Sequence, residues 1–434
     1  MHLIYSLPSF VKIGASFAVM LALNRFKLAL GWAMLISTVL LTLFTGSGWK
    51  GLSYLAHSFI DPQNYLMLLV IVLLTFFSDA LAHTGRMEKA LDAFRSIFKN
   101  QRLLMGALPA VIGLLPMPGG ALFSAPFLSQ VDENKSISPE RKSAINYWFR
   151  HLWEYWWPLY PGVILAVHCS GLPFGLFLLV QAPFTIASIT GGWYFLLRQV
   201  SVGRDGHARP TMTPGKALWT LWPIILLVLI SIVASIVLPH LGLSAGTANL
   251  YGMLAGIFIT LVFVFKNNGA LFLKSCSLFC TTSTWLLVLV IVGVLAFSTV
   301  LQMPLDSSGN SLVSLMRDEF IRFGIPLVLI VAIIPFISAL VTGFSVGFVG
   351  ASFPIVFALL GRHPSLNTVL ATTSLTYVSG YIGLMLSPVH LCFIMSNDFF
   401  KVRMAPTYRY ILGPCAVVAI AMVVLCTLYY IVCK

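Results

Sequence analysis

The chain has 434 residues, 59% of them hydrophobic and only 9% charged, and its mean hydropathy is +0.94. That composition excludes a soluble domain and describes a polytopic helical membrane protein. The net charge of +13 would suggest nucleic acid only if the basic residues clustered on one folded face; here they lie in short loops between apolar runs and read as topology signals.

Pro8 to Leu23 and Leu28 to Phe44 are expected as the first two spans, and Tyr65 to Ala82 as the third. Arg86 to Lys99 carries charged and apolar residues at helical spacing, the pattern of an amphipathic surface helix. Next comes LLPMPGGALFSAPF, Leu114 to Phe127, which sits deep in apolar sequence yet cannot be one continuous helix. Pro116 and Pro118 remove backbone donors, and Gly119 and Gly120 add freedom where the chain must unwind or reverse. Pro126 restricts Ala125. In lipid, broken backbone survives only when buried in protein or lining a wet cavity, which is how interrupted helices build transporter sites. A second interruption, HLWEYWWPLYPG at His151 to Gly162, lies in the next apolar region, and Phe174 to Leu197 closes the first half.

Arg198 to Lys216 is the one clear linker, after which the pattern restarts. Spans are expected at Leu218 to Leu238, Ala248 to Phe265 and Thr284 to Leu301, followed by an amphipathic segment at Ser311 to Phe323. VTGFSVGFVGASFP (Val341 to Pro354) and GYIGLMLSPVHLC (Gly380 to Cys392) are again broken, and a last span runs from about Tyr408 to Val432. The order of elements is thus written twice, at a spacing of roughly 220 to 227 residues. If each broken stretch is a re-entrant hairpin, each half crosses about five times and the second half is inverted. About nineteen basic residues then fall on one side against about five on the other, the bias of cytoplasmic loops. The expected fold is an all-α polytopic membrane protein of two inverted repeats, residues 1–198 and 217–434, joined by a cytoplasmic linker at 199–216. The N-terminus is expected outside a cytoplasmic (inner) membrane.

Glu154 is the foremost candidate for chemistry, because a carboxylate at span depth costs on the order of 3 kcal/mol and faces a cavity or a partner. Arg150, four residues earlier, would share its helical face and could neutralise it. Glu154 is either a proton or cation relay, an anchor for unwound backbone, or half of a structural ion pair. Ser124, Thr342, Ser345 and Ser352 flank the two breaks, where hydroxyls either bind ions and carboxylates or re-satisfy a bent helix. Ser387 and His390 mark the last interruption. Trp153, Trp156, Trp157, Tyr155 and Tyr160 form either an interfacial belt or an aromatic wall beside the site. The seven cysteines show no metal-type or redox-type spacing and read as small hydrophobic fillers.

LLPMPGGALFSAPF, HLWEYWWPLYPG and GYIGLMLSPVHLC resemble an uncharacterised prokaryotic integral membrane family, domain of unknown function 401, along nearly the whole chain. The proline-glycine stretch is also similar to one in gluconate permeases, and both resemble the wider ion transporter superfamily. The resemblance implies paired inverted repeats, each with a re-entrant hairpin and an unwound span, and movement of anions coupled to Na⁺ or H⁺. The hairpin tips carry Pro-Gly-Gly and Thr-Gly-Phe-Ser where dicarboxylate members carry Asn-Thr sodium-site motifs.

The expectation is therefore an ion-coupled permease for a small anionic solute. Its site would comprise Pro118, Gly119, Gly120, Ser124, Glu154, Thr342, Gly343, Ser345, Ser352, Ser387 and His390. No cofactor beyond a coupling ion, no metal and no nucleic acid is expected; the partners are lipid and the solute, with a homodimer left open. A passive channel, an intramembrane enzyme and a non-transporting membrane protein are the alternatives. The enzyme is disfavoured because the sequence contains no HExxH motif and an enzyme gains little from an inverted duplication.

Overall fold

The computed structural model describes residues 7–46, 51, 53–56, 60–85, 100–115, 120–132, 136–200, 219, 221–266, 269–277, 281–305, 309–361 and 364–432. All regular structure among them is helical. The expected amphipathic helix at Arg86 to Lys99, the residues Pro116 to Gly119, and most of the expected linker lie outside the described residues.

The first half contains α1 (Ser9–Arg25), α2 (Leu30–Thr45), α3 (Pro62–Ala82), α4 (Gln101–Gly113), α5 (Ala121–Val131), α6 (Pro139–Arg150), α7 (Pro161–Ser170) and α8 (Phe174–Gly192), the last continued by a π-helical turn at Trp193–Leu197. The second half contains α9 (Trp222–His240), α10 (Ala245–Phe265), α11 (Gly269–Cys276), α12 (Thr282–Gln302), α13 (Leu312–Arg322), α14 (Leu327–Thr342), α15 (Ser345–Leu359), α16 (Leu366–Met385), α17 (Leu391–Phe400) and α18 (Met404–Val432). Among the described residues, six helices are long and apolar enough to cross a bilayer: α3, α8 with its π turn, α9, α10, α12 and α18. The expected first two spans are shorter helices of 17 and 16 residues, below the twenty or so that match the hydrocarbon core.

Side chains are distributed inside out relative to a soluble protein. On α2, Trp32, Ile36, Val39 and Leu43 are exposed while Ser37 and Thr38 are buried. Such apolar rows need lipid or a partner to cover them. Several buried hydroxyls return to their own helix: Thr38 donates to the Met34 carbonyl, Ser231 to Leu227 and Thr260 to Gly256. Where helices cross closely, small residues permit it. A Cβ at Gly256 would lie 2.9 Å from the Leu227 carbonyl oxygen, and one at Gly252 would lie 2.7 Å from the Ala234 methyl, so α10 meets α9 along a GxxxG face.

Two halves of the chain interleave. Helices α4 and α14 pack on α6 and α16, whereas α5 packs on α17 and α15 on α7. Likewise α2 packs on α12 and α10 on α3, and α8 lies against α18. The outer end of the α4–α5 pair is held by Asp132, whose carboxylate takes hydrogen bonds from Ser136 and Ile137 and a 2.9 Å ion pair from Lys142.

The N-terminus of α1 has no cap from its own sequence. Glu319 of α13 supplies one, accepting from the Ser9 and Phe10 amides at 2.7 and 2.8 Å. A carboxylate there satisfies two orphan donors and faces the positive end of the helix. Glu319→Ala is expected to cost about 1–2 kcal/mol, read as a lower thermal midpoint in detergent; an unchanged midpoint would show the cap to be dispensable.

Candidate functional site

Both broken spans unwind where the sequence interrupts them. α6 ends at Arg150, and irregular turns carry the chain to Tyr160 before Pro161 starts α7. α16 ends at Met385, and α17 begins after His390. The helix end at Arg150 corrects one expectation. Arg150 and Glu154 do not share a helical face, because the spacing of four has that meaning only inside a continuous helix.

The unwound residues are held by aromatic donors. Trp153 donates to the Ala110 carbonyl at 2.7 Å, Trp157 to Leu114 at 3.0 Å and Tyr160 to Gly113 at 2.6 Å. These are carbonyls in and just beyond the last turn of α4, the turn where a helix lacks its own donors. Three polar tips of the aromatic run thus cap α4, while Trp156 donates to the Thr185 hydroxyl and Tyr155 pairs with the Ser188 hydroxyl on α8. Trp157→Phe keeps the ring and deletes the donor, and is expected to cost about 1–3 kcal/mol through the orphaned Leu114 carbonyl, measured by thermal unfolding against wild type. From the opposite side, Tyr377 of α16 donates to the Glu154 carbonyl at 2.6 Å and Tyr381 to the His151 carbonyl at 3.3 Å.

A cavity of about 760 Å³ opens beside these segments. Its wall takes in Arg150, His151, Glu154, Tyr160 and Pro161 from the first half, and Thr342 to Ser345, Val389, His390 and Cys392 from the second. Lys27, Thr75, Asp79 and Thr284 line it from the surrounding helices. Three helix N-termini border it: Pro161 begins α7, Phe344 caps α15 and His390 caps α17. Two of them touch, since a Cβ on Gly162 would lie 2.8 Å from the Ser345 Cβ. The α14–α15 break turns on Gly343 at φ +71°, a left-handed conformation that favours glycine. A Cβ there would approach the Val389 backbone to 3.0 Å, so the turn rests on the second unwound segment.

Arg150 is 2% exposed, and its guanidinium lies against Gly120, the N-cap of α5, in the space a Cβ would fill. Glu154 is 8% exposed; its Oε1 lies 3.9 Å from His151 Nε2, and its Oε2 is buried without a hydrogen-bond partner among the described residues.

Of the residues expected from sequence, Glu154, Thr342, Gly343, Ser345 and His390 meet at this cavity, and Gly120 stands behind Arg150. Ser124, Ser352 and Ser387 are buried but bond to helix carbonyls instead: Ser124 weakly to Gly120 and Ala121, Ser352 to Phe348 and Ser387 to Leu340. They are absent from its wall. Pro118 and Gly119 lie outside the described residues. Sequence reasoning left out Lys27 and Cys392 as site residues and treated Arg150 and His151 only as neighbours of Glu154. Nothing in local spacing marks them, because they reach the cavity only through packing between the halves.

The chain matches the family model described as "Protein of unknown function (DUF401)" over residues 9–432, and it belongs to that family. No curated protein matches it.

Proposed function

We propose that this member of the family is a secondary active transporter for a small anionic solute, with the cavity between the unwound segments as its site. One observation carries the reading: three helix N-termini and the Arg150 guanidinium converge on one cavity. Each N-terminus presents free N–H groups and about half a positive charge. Arg150 adds a full charge, and it stands against the N-terminus of α5. Like-signed ends brought together in a low-dielectric interior favour an anion between them.

The exchange of packing partners supports two inverted repeats, residues 1–198 and 217–434. α5 meets α17 as α15 meets α7, and α2 meets α12 as α10 meets α3. On this reading α4–α5 and α14–α15 are hairpins entering from opposite faces, the first from the cytoplasm. Legs of 13, 11, 16 and 15 residues suit hairpins that reach the midplane and return. The likeness to gluconate permeases and the wider ion transporter superfamily fits the same picture. Glu154 serves the coupling cation, H⁺ or Na⁺, and alternating access is movement of one unit against the other.

The test is uptake by proteoliposomes against a panel of carboxylates and inorganic anions, with H⁺ and Na⁺ gradients imposed separately. Accumulation above equilibrium under one gradient is expected. Flux of a solute that only equilibrates would make the protein a channel, and accumulation of none would sink the proposal.

A further inference from the structure

His151, His390 and Cys392 come from two segments far apart in sequence, yet their ligand atoms lie within 4.8 Å of one another, and all three side chains are buried. We propose that they form, with Glu154 whenever it is not carrying the coupling cation of the proposed transport cycle, a binding site for a borderline-soft divalent transition metal of the zinc class.

The orientation of the two rings favours this. His151 Nδ1 lies 2.6 Å from the Tyr147 carbonyl, and a carbonyl only accepts, so the proton is on Nδ1. His390 Nδ1 lies 3.2 Å from the Leu384 carbonyl and 2.8 Å from the Tyr147 hydroxyl. That hydroxyl can in turn donate to the Leu384 or Met385 carbonyl at 3.3 Å. Both rings therefore hold their hydrogen on Nδ1 and leave Nε2 with a lone pair. This is the outer arrangement that metal-binding histidines use to fix tautomer and direction. The ring centroids are 4.8 Å apart. One residue, Tyr147 of α6, orients both.

Glu154 supplies the second argument. Its carboxylate approaches His151 Nε2 at 3.9 Å, and its other oxygen is buried with no hydrogen-bond partner among the described residues. An orphaned buried carboxylate oxygen is costly and calls for a proton or a cation. Two imidazoles, a thiolate and a carboxylate make a mixed nitrogen, sulfur and oxygen set that suits Zn²⁺ better than Mg²⁺ or Ca²⁺, which take oxygen shells. A tetrahedral ion with bonds of about 2.0–2.3 Å sets its ligand atoms roughly 3.3–3.8 Å apart. Closure of His151, His390 and Cys392 from the present spacing therefore needs only about an ångström of side-chain movement, and Glu154 turns in from beside His151 as the fourth ligand. The Glu154 and His151 backbone is fixed by Tyr377 and Tyr381, so the two ligands of the first half are held in place. On binding, the Cys392 thiol releases its proton to solvent and the sulfur bonds the metal; no redox change occurs.

The test uses the full chain purified in detergent and titrated with Co²⁺, then with Zn²⁺ in competition. One equivalent of Co²⁺ should give the near-ultraviolet thiolate-to-cobalt charge-transfer band, and Zn²⁺ should bleach it. Cys392→Ser should remove the band, and His390→Ala should weaken Zn²⁺ at least tenfold. Tyr147→Phe keeps every ligand and should keep the band while lowering affinity about 10–100-fold, the usual loss when an outer partner is removed. Absence of the band in wild type overturns the site. So does a band that survives Cys392→Ser, since the thiolate would then be elsewhere. If Cys392→Ser does not fold, an unchanged affinity in Tyr147→Phe overturns the proposal and a weakened one upholds it. The readout is optical and made without a gradient, so it fails or succeeds separately from the uptake assay.

Discussion

Arg150→Gln is expected to reduce uptake of the anionic solute at least a hundredfold. The residue is 2% exposed at the cavity wall, and removing one side of a buried charge contact costs about 2–5 kcal/mol. At 1.4 kcal/mol per factor of ten, the middle of that range already exceeds two orders of magnitude. The loss should fall mainly on KM, because the charge is expected to hold the solute. Gly120→Ala tests the same point without deleting the charge. Its methyl would occupy the space of the guanidinium, and that group must swing away because the α5 backbone cannot. About a tenfold loss is expected, with folding retained. Gly175 is the control: a Cβ there meets nothing within 4 Å, so Gly175→Ala in α8 should leave uptake unchanged. Equal transport by wild type and Arg150→Gln would remove the cation from the binding site and leave the helix ends alone to explain anion preference.

Much of the fold was readable because lipid makes broken backbone rare. Proline and glycine inside apolar runs mark the ends of α4, α14 and α16 to within a few residues. Pro161 opens α7 at the first helical position, where its missing N–H costs nothing. Gly343 ends α14 in the left-handed conformation that only glycine adopts freely. What could not be read was which polar groups would meet. Ser124, Ser352 and Ser387 had the right sequence neighbourhood, yet each hydroxyl has a helix carbonyl within reach. A local partner wins over a distant ligand because it demands no ordering of a second group. Arg150 and Glu154 mislead for a related reason: their spacing of four means a helical neighbourhood only inside a helix, and α6 ends at Arg150. Cys392 reads as filler because its spacing from His390 alone is no metal motif and His151 stands on the other half of the chain. The tryptophans read as interfacial by composition, but the N–H groups of Trp153 and Trp157 serve carbonyls at the end of α4 and that of Trp156 serves the Thr185 hydroxyl.

The second large effect concerns the place where the two halves touch. Gly162→Ala is expected to lower uptake by roughly 10–100-fold, because the new methyl would lie 2.8 Å from the Ser345 Cβ and 2.9 Å from its Oγ. Overpacking of this kind costs about 1–3 kcal/mol, and here neither partner can retreat cheaply. Gly162 sits in the first turn of α7 and Ser345 in the first turn of α15. Pushing them apart widens the gap between two N-termini that are proposed to share one anion. The compensating change separates this from a general loss of stability. Ser345→Gly deletes both of the side-chain atoms that collide, leaving only the Ser345 backbone carbon at 3.0 Å. The double variant Gly162→Ala with Ser345→Gly should therefore recover a substantial part of the uptake, whereas Ser345→Gly alone should lose little. A double variant no better than Gly162→Ala would mean that the α7 and α15 ends do not govern one another in the working protein. The hydroxyl of Ser345 also faces the cavity; if it binds solute directly, Ser345→Gly alone will raise KM. In that event the packing contact and the binding contact are the same residue, and transport depends on the two helix ends both as a hinge and as a ligand cradle.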